Sequence, residues 1–414
     1  MAVVLQPVSG ASLPLPLRGG TRQDAASPSR GKENKWGSMA RNVRRNEEAT
    51  KRTMKPRLHS ALLAFTLAAG QSLAAAAPSA ASPEASSARL APSSLNLKPS
   101  TKKPLAPSPF RGYPEAYVLH NARVHAVVVP SLFRLVFLAP SADAPNLLRL
   151  DSALADTGAL PPDPATAPGF FNIGGDWVWP VAQSNWPAFS PNASDWPPPP
   201  ALADGPSTVE AWVDGDGTQH VNLIREYPPP VSATLERTFI LSSDASHLEC
   251  EQVLYPSVFD EEENDLPLAL WHISQVTNPD KIHFVVPTPD FTPAVMAGTL
   301  VPGSFVVDSE WQGTFFGGTP LGRPATYTPP PSSEVKLFLP TSSLSARTPN
   351  GFFTVTIEET TPDFHAELYS NTGLGYAELE TVTPDSSSVP HVSTLANTLV
   401  YCVFPPAGAP HPAQ

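Results

Sequence analysis

Short runs in which apolar and polar residues alternate recur along most of this chain, and they constrain its fold more than any other feature. Alternation with a period of two is typical of a β-strand that buries one face. In the run 334–339, Val335, Leu337 and Leu339 fall on one face of such a strand. Comparable runs occupy 123–129, 132–138, 207–213, 234–241, 247–254, 352–358 and 375–382. The sequence therefore predicts a chain built mainly of strands.

Proline and glycine separate these runs and argue against helices. The chain contains 52 prolines, and a proline inside a helix removes a hydrogen bond and clashes with the preceding turn. Turn-forming sequences at 214–217, 317–318 and 349–351 lie at distances typical of hairpins. The sequence shows no repeat of fixed period, which disfavours a propeller or a β-helix. The expected fold is all-β, a large antiparallel sandwich or barrel.

Residues 54–77 have the pattern of a secretory signal peptide, with a basic start, a short apolar core and a small-residue run. The apolar core is about ten residues long, too short to span a bilayer as a helix. We expect Met54 to be the initiator and residues 1–53 to be a disordered or untranslated leader. The mature protein would then be periplasmic or secreted. The alternative is an alanine-rich linker in a cytosolic protein.

The next segment, 78–109, is rich in Ala, Ser, Pro and Lys. Such a composition buries too little apolar surface to offset the entropy of ordering the chain, so we expect a disordered linker. The folded part is predicted to run from 110 to 405, followed by a disordered tail, 406–414. Its length suits one large β domain or two smaller ones.

The folded part is strongly acidic. Of 26 Lys and Arg residues, 12 lie at or before Arg57, together with only 4 of the 38 Asp and Glu residues. The rest of the chain carries 14 basic and 34 acidic residues. This balance repels phosphate backbones and anionic membrane surfaces. We expect no nucleic-acid partner, no membrane association after signal cleavage, and a monomer.

Two cysteines, Cys250 and Cys402, each lie in a strand-like run. In an oxidising compartment they could form a disulfide, and otherwise they would be buried thiols; their spacing leaves both alternatives open. They are too few for a zinc site. Because the chain also lacks a phosphate loop and a dinucleotide-binding fingerprint, we expect no metal and no cofactor.

Tryptophan is concentrated in one stretch. Four of the eight tryptophans lie within twenty residues, at Trp177, Trp179, Trp186 and Trp196. An aromatic plane can cover the apolar face of a sugar while amide and carboxylate groups bind its hydroxyls. The predicted sugar-binding residues of this stretch are Asp176, Trp177, Trp179, Gln183 and Trp186. The alternative is a loop held in place by buried tryptophans.

Three motifs occur in order between about Tyr113 and Phe404. They are Gly-Gly-x-x-x-Trp-Pro-x-x-Gln at 174–183, the strand-like stretch 268–276, and Gly-Tyr-x-Glu-Leu-Glu at 375–380. Together they resemble a bacterial family of unknown function with a galactose mutarotase-like fold. The resemblance implies a β-supersandwich and a carbohydrate ligand, although similarity of fold does not establish activity.

Aldose epimerases with this type of fold open a sugar ring with a glutamate base on a late strand and a histidine acid on a central strand. By position, the resemblance implies His272 as the acid and Glu378 or Glu380 as the base. It also implies that Gln275 and Tyr376 contact the sugar.

Two departures from the epimerase pattern leave other functions open. Trp-His-Ile-Ser-Gln at 271–275 replaces the epimerases' Asn-His-Ser-Tyr-Phe, and Arg134 or Arg149 would have to serve as the substrate-binding arginine. The first hypothesis is an exported mutarotase or epimerase, and the second is a non-catalytic carbohydrate-binding or structural module. A third is an accessory of polysaccharide lyases, with Tyr376 and His272 at its site.

Overall fold

The computed structural model describes residues 102–161, 171–189, 198–202, 204–256, 267–308, 322–358, 365–384 and 394–406. The predicted leader 1–53 and signal peptide 54–77 lie outside these residues, as do the linker up to 101 and the tail from 407. Most of the predicted folded part, 110–405, lies within them.

Strands make up most of the described residues. They are β1 (Lys103–Pro104), β2 (Ser108–Phe110), β3 (Tyr113–His120), β4 (His125–Val129), β5 (Arg134–Ala139), β6 (Asp176–Trp179), β7 (Thr208–Val213), β8 (Gln219–Tyr227), β9 (Ala233–Leu241), β10 (His247–Pro256), β11 (Trp271–Thr277), β12 (Lys281–Val286), β13 (Ala294–Gly298), β14 (Phe305–Val307), β15 (Arg323–Tyr327), β16 (Glu334–Leu339), β17 (Ser343–Thr348), β18 (Gly351–Glu358), β19 (His365–Asn371), β20 (Tyr376–Val382) and β21 (Leu395–Phe404). The helices are α1 (Ser152–Asp156), α2 (Trp186–Phe189) and the 3₁₀ turns Pro130–Leu132, Gln183–Asn185 and Pro200–Leu202.

The strands form two large sheets. The first sheet has eleven strands in the order β1-β7-β8-β9-β10-β21-β18-β17-β12-β15-β14, and the second has ten in the order β13-β16-β19-β20-β11-β6-β5-β4-β3-β2. Neighbouring strands pair antiparallel, as between β9 and β10 or between β11 and β20. The predicted all-β, antiparallel supersandwich is therefore confirmed.

The main core lies between the two sheets, because each sheet turns its apolar side chains toward the other. β9 shows the pattern clearly, since buried and half-buried residues alternate along all nine of its positions. Ala233, Leu235, Phe239 and Leu241 are its buried apolar residues. Burial of one such side chain stabilises the fold by about 1.5–3 kcal/mol. Alternation in the sequence thus correctly predicts which side of this strand is buried.

The packed part begins before the predicted boundary at 110. β1 pairs with β7 at the edge of the first sheet, with Lys103 opposite Val213. Beyond it, the Leu105 N–H donates to the carbonyl of Ala211 at 3.0 Å. The end of the predicted linker is thus a strand that covers a sheet edge, because backbone pairing can order a segment that has few apolar side chains.

Cys250 and Cys402 are both buried free thiols. Cys250 lies opposite Leu399, whose side chain belongs to the core between the sheets. Cys402 is three residues further along β21, so it points to the other face of the first sheet. Two cysteines on opposite faces of one sheet cannot form a disulfide, and the structure decides this open question in favour of free thiols.

The α-helices of the described residues are short, with five residues in α1 and four in α2. None of the helices in the described residues is long and apolar enough to cross a membrane.

Candidate functional site

Three neighbouring strands of the second sheet, β6, β11 and β20, carry most of the predicted site residues. β11 is in the middle and pairs with both others. Successive side chains of a strand point to opposite faces. In the pairing of β11 with β20, His272 lies opposite Thr381, and the next residue, Ile273, lies opposite Glu380. His272 and Glu380 therefore point to opposite faces of the sheet.

One face of these strands looks into the space between the sheets and carries a group of polar residues, the inner cluster. Its members are Asp176, Arg237, His272, Ser274 and Tyr401. The Asp176 carboxylate accepts hydrogen bonds from the Arg237 guanidinium and from the Ser274 hydroxyl, each at 2.5 Å. His272 Nε2 lies 2.5 Å from the same carboxylate, and the Tyr401 hydroxyl donates to it at 3.2 Å. Because Arg237 and Tyr401 belong to the first sheet, the inner cluster joins the two sheets.

The donors around Asp176 keep this carboxylate charged although it is fully buried. Burial by itself would raise its pKa, but the His272 ring and the Arg237 guanidinium outweigh burial and lower the pKa to about 2. A buried carboxylate with this many donors is typical of a structural ion pair.

The inner cluster corrects two predictions. Asp176 and His272 have no solvent-exposed surface, so as placed neither can touch a sugar outside the sandwich. His272 is also separated from Glu378 and Glu380 by the sheet itself, because the two glutamates point to the other face. The predicted acid and the predicted bases therefore do not face one substrate.

The opposite, outer face carries the tryptophans. Trp177, Trp179, Trp186 and Trp271 are each at most 2% exposed. Neighbouring rings among them lie 5.3–6.1 Å apart, most of them edge to face, which is a favourable geometry for aromatic pairs. The prediction of Trp177, Trp179 and Trp186 as exposed stacking platforms is therefore corrected, because the rings bury one another.

Two glycines fix the start of β6. Gly174 and Gly175 have φ angles of +91° and +86°. A Cβ atom would lie 2.2 Å from the carbonyl oxygen of Arg149 at Gly174, and 2.6 Å from that of Leu135 at Gly175. Only glycine fits both the backbone conformation and the space. This turn places Asp176 on the inner face and directs the tryptophans that follow outward.

Next to the tryptophans, the outer face carries five polar residues, which we name the outer cluster. They are Gln275, Lys336, Glu367, Glu378 and Glu380. The Lys336 ammonium donates to Glu380 at 2.9 Å and lies 2.8 Å from Glu367. The Gln275 amide donates to Glu378 at 2.7 Å. Of the predicted catalytic residues, the structure thus brings Glu378 and Glu380 together and leaves His272 apart.

The three glutamates of the outer cluster differ in their pKa values. Burial raises the pKa of Glu380 to about 8 despite the opposing charge of Lys336. Burial also raises the pKa of Glu378, against the Gln275 hydrogen bond. For Glu367, the Lys336 charge and the His365 hydrogen bond outweigh burial and lower the pKa to about 2. The outer cluster thus holds carboxyl groups suited to different protonation states at neutral pH.

The outer cluster reaches solvent on the side of Arg149, whose side chain is 20% exposed. The Arg149 guanidinium donates to Gln275 Oε1 and to Asn172 Oδ1, each at 3.1 Å. Its central carbon lies 5.0 Å from the ring centre of Tyr376. Glu378 itself is half-buried. The Glu378 carboxylate and the Arg149 guanidinium therefore lie at the solvent edge of the outer cluster. Gln275 has no exposed surface, so the prediction that it contacts a sugar is corrected, and its amide orients Glu378 and Arg149 instead.

The sequence alone does not identify every polar residue near this face. Lys336 and Glu367 gave no signal, because a charged residue on an alternating strand is usually solvated. Asn172 precedes the first glycine of the tryptophan stretch and matches no position of the three motifs. Gln183, predicted to bind sugar, lies in the 3₁₀ turn Gln183–Asn185 and is half-buried. In the described part of the chain, no three His, Cys, Asp or Glu side chains are grouped so that they could hold a metal ion.

Comparisons with known proteins give structural likeness only. No family model matches the chain, and no curated protein matches its sequence. Among solved structures, Slr1438 from Synechocystis sp. PCC 6803 aligns with a TM-score of 0.44 and 14% identity over 73% of this chain and 97% of that one. A galactose mutarotase-like protein from Lactobacillus casei ATCC 334 aligns with a TM-score of 0.41 and 12% identity, covering 70% and 99%.

A third structure is that of an aldose 1-epimerase candidate from Klebsiella pneumoniae subsp. pneumoniae MGH 78578. It aligns with a TM-score of 0.42 and 10% identity over 71% of this chain and 83% of that one. At identities of 10 to 14%, the ligand of this chain has to be inferred from its own side chains.

Proposed function

We propose that the outer face of the second sheet binds a sugar and catalyses exchange between its anomers. The observation that carries this proposal is the half-buried Glu378 carboxylate, which Gln275 holds at 2.7 Å beside Arg149 and Tyr376. Arg149 and Asn172 offer hydrogen bonds to hydroxyl groups, and the accessible edge of the Tyr376 ring offers an apolar surface to the ring of a sugar. Gln275 has no exposed surface and orients Glu378 and Arg149 from behind.

The chemistry needs two proton transfers. Glu378, as a carboxylate, removes the proton of the anomeric hydroxyl while a donor protonates the ring oxygen, and the bond between C1 and the ring oxygen breaks. Closure on the other face of the aldehyde reverses both transfers and gives the second anomer. The Tyr376 hydroxyl is the donor that this geometry favours, because it lies two residues from Glu378 on the same face of β20.

NMR of freshly dissolved neutral monosaccharides with the purified full chain tests this proposal. We expect the protein to accelerate anomer exchange of at least one sugar and Glu378→Gln to lose 10²- to 10⁴-fold, the usual contribution of a general base. Glu251→Gln is the matched control, because Glu251 is exposed on the first sheet. A broad panel of sugars without any acceleration would rule out catalysis.

We also propose that the protein works in the periplasm or outside the cell. Support comes from the signal-peptide pattern of residues 54–77. N-terminal sequencing of protein recovered from the periplasm or medium checks this proposal, with cleavage expected in the small-residue run 72–77. Recovery of the uncleaved chain from the cytoplasm alone would contradict it.

A second candidate function is non-catalytic sugar binding. It is favoured by one observation, the position of His272 inside the sandwich, where it cannot act as the acid. Calorimetric titration with the same sugars, combined with the NMR measurement of anomer exchange, separates the two functions. A sugar that binds but whose anomers do not exchange faster would favour non-catalytic binding. Arg149→Ala should weaken such binding and leave the fold intact, because Arg149 lies at the solvent edge of the site.

A further inference from the structure

Two glutamates of the outer cluster lie directly opposite each other on paired strands. Glu367 on β19 faces Glu380 on β20 in the register. Like charges in this arrangement repel each other. Glu367 is 8% exposed and Glu380 is not exposed at all. Both carboxyl groups pair with the same cation, Lys336. A single positive charge can balance only one of the two carboxylates.

The two carboxyl groups differ in how their hydrogen bonds are distributed over their oxygens. Both oxygens of Glu367 have partners, Lys336 at 2.8 Å and His365 Nε2 at 3.2 Å. In Glu380, Oε2 accepts from the Trp271 indole at 2.8 Å and from Lys336 at 2.9 Å. Within the described part of the chain, buried Oε1 of Glu380 has no hydrogen-bond partner.

A negative charge in a buried site is stable where donors surround it. Glu367 meets this condition at both oxygens, and Glu380 meets it at one. The charge therefore belongs on Glu367, and a proton belongs on Oε1 of Glu380.

We propose that Lys336, Glu367 and Glu380 hold one proton on Glu380 at neutral pH and thereby keep Glu378 able to ionise. This inference rests on the proposed function, in which Glu378 is the base. Glu380 is not exposed, so it acts as a positioning residue and does not touch the sugar.

The link between the two residues is electrostatic. Glu378 and Glu380 lie two residues apart on one face of β20, about 7 Å along the strand. A neutral Glu380 leaves the charge of Glu378 undisturbed, whereas an ionised one would disfavour it. Burial raises the pKa of Glu380 to about 8, in agreement with the geometry.

Other groups also act on Glu378 and Glu380. They come from every strand packed around the cluster: Lys336 from β16, His365 and Glu367 from β19, Trp271 and Gln275 from β11, Arg134 from β5, and Arg149 beside Gln275. Of these, Lys336, Arg149 and Arg134 all lower the pKa of Glu378, so the charge of Glu378 depends on the cluster as a whole.

Carboxyl titration by NMR of protein labelled with ¹³C at the glutamate side chains tests the inference without any substrate. We expect one buried glutamate to titrate near pH 8 in the unmodified protein and to be missing from the spectra of Glu380→Gln, which preserves a neutral side chain. The Glu378 signal, assigned with Glu378→Gln, should keep its titration in Glu380→Gln. In Lys336→Met, its pKa should rise.

Several outcomes would overturn the inference. The first is a glutamate titration near pH 8 that persists in Glu380→Gln. The second is the absence of this titration from the unmodified protein. The third is a rise in the pKa of Glu378 in Glu380→Gln as large as in Lys336→Met. Because the titration needs no sugar, it tests where the proton lies even if the protein does not accelerate anomer exchange. If exchange is found, its rate should change with pH near 8 in the unmodified protein and in Glu251→Gln, but not in Glu380→Gln.

Discussion

The inner and outer clusters lie on opposite faces of β6, β11 and β20, and each places a buried carboxyl group beside a buried cation. Asp176 receives donors from two sheets, and its pKa is lowered to about 2. Glu380 shares Lys336 with Glu367, and its pKa is raised to about 8. Burial is similar in the two cases, so the charge of each carboxyl group is decided by its donors and, for Glu380, also by its acidic neighbours Glu367 and Glu378.

The largest effect is expected when the inner cluster loses its charge. Asp176→Asn leaves Arg237 as a buried cation without a carboxylate, a type of change that costs about 3–5 kcal/mol. Urea denaturation measures the free energy of unfolding. Asp244→Asn is the matched control, because Asp244 is exposed, and a similar small loss in both variants would show that the inner cluster is not an ion pair of this kind.

The two clusters should also differ in how stability depends on pH. Asp176 has a pKa of about 2 in the fold and a usual value of 3.8, so its stabilising charge is present above about pH 4 and is lost as the pH falls toward 2. Glu380 has its pKa raised from 4.5 to about 8, so its contribution is present below 4.5 and is lost as the pH rises through 8.

Denaturation at a series of pH values checks both slopes, each at most about 1.4 kcal/mol per pH unit for one proton. Asp176→Asn should flatten the acidic part of the curve, if the variant folds. Glu380→Gln should flatten the part between 4.5 and 8. An unchanged curve in Glu380→Gln would mean that Glu380 does not hold the proton.

Within the outer cluster, the two paired glutamates should respond differently to the same substitution. Glu367→Gln removes the charged partner of Lys336 and should cost about 1–3 kcal/mol at pH 7. Glu380→Gln replaces a neutral acid with a neutral amide and removes the gain that the unfolded chain makes by ionising Glu380 above pH 4.5, so at pH 7 it should leave stability unchanged or raise it. Thermal unfolding of both variants is a direct comparison, and equal losses would contradict the unequal sharing of Lys336.

The smallest effect concerns one tyrosine from each region. The Tyr401 hydroxyl donates to Asp176 at 3.2 Å, so Tyr401→Phe should cost about 1 kcal/mol of stability. Among the described residues, the Tyr376 hydroxyl accepts one long hydrogen bond of 3.4 Å, from Asn172, so Tyr376→Phe should change stability by less than about 0.5 kcal/mol. Tyr376→Phe should instead slow anomer exchange. A larger loss of stability in Tyr376→Phe than in Tyr401→Phe would contradict these assignments.

Local sequence patterns predict the strands well, because alternation follows from one-sided burial. The run 334–339 is β16 as expected. The same pattern does not reveal what covers each face, so Lys336 could not be recognised as buried. The register between β19 and β20, which pairs Glu367 with Glu380, depends on contacts between distant parts of the chain.

The positions of residues along each strand distinguish the two clusters in the sequence itself. His272 and Gln275 were both predicted to contact a sugar, yet residues three apart on a strand point to opposite faces. The same holds for Asp176 and Trp177, which are adjacent. Odd and even positions along each strand therefore divide the predicted site into the two groups that the structure shows.

A strand with a cluster on each face leaves little freedom in its length. Inserting or deleting one residue within β11 would exchange the faces of the residues beyond the change, and Gln275 would then turn into the sandwich. Natural variation in length should therefore fall in the connections around β6, β11 and β20, and these strands should change only by substitution.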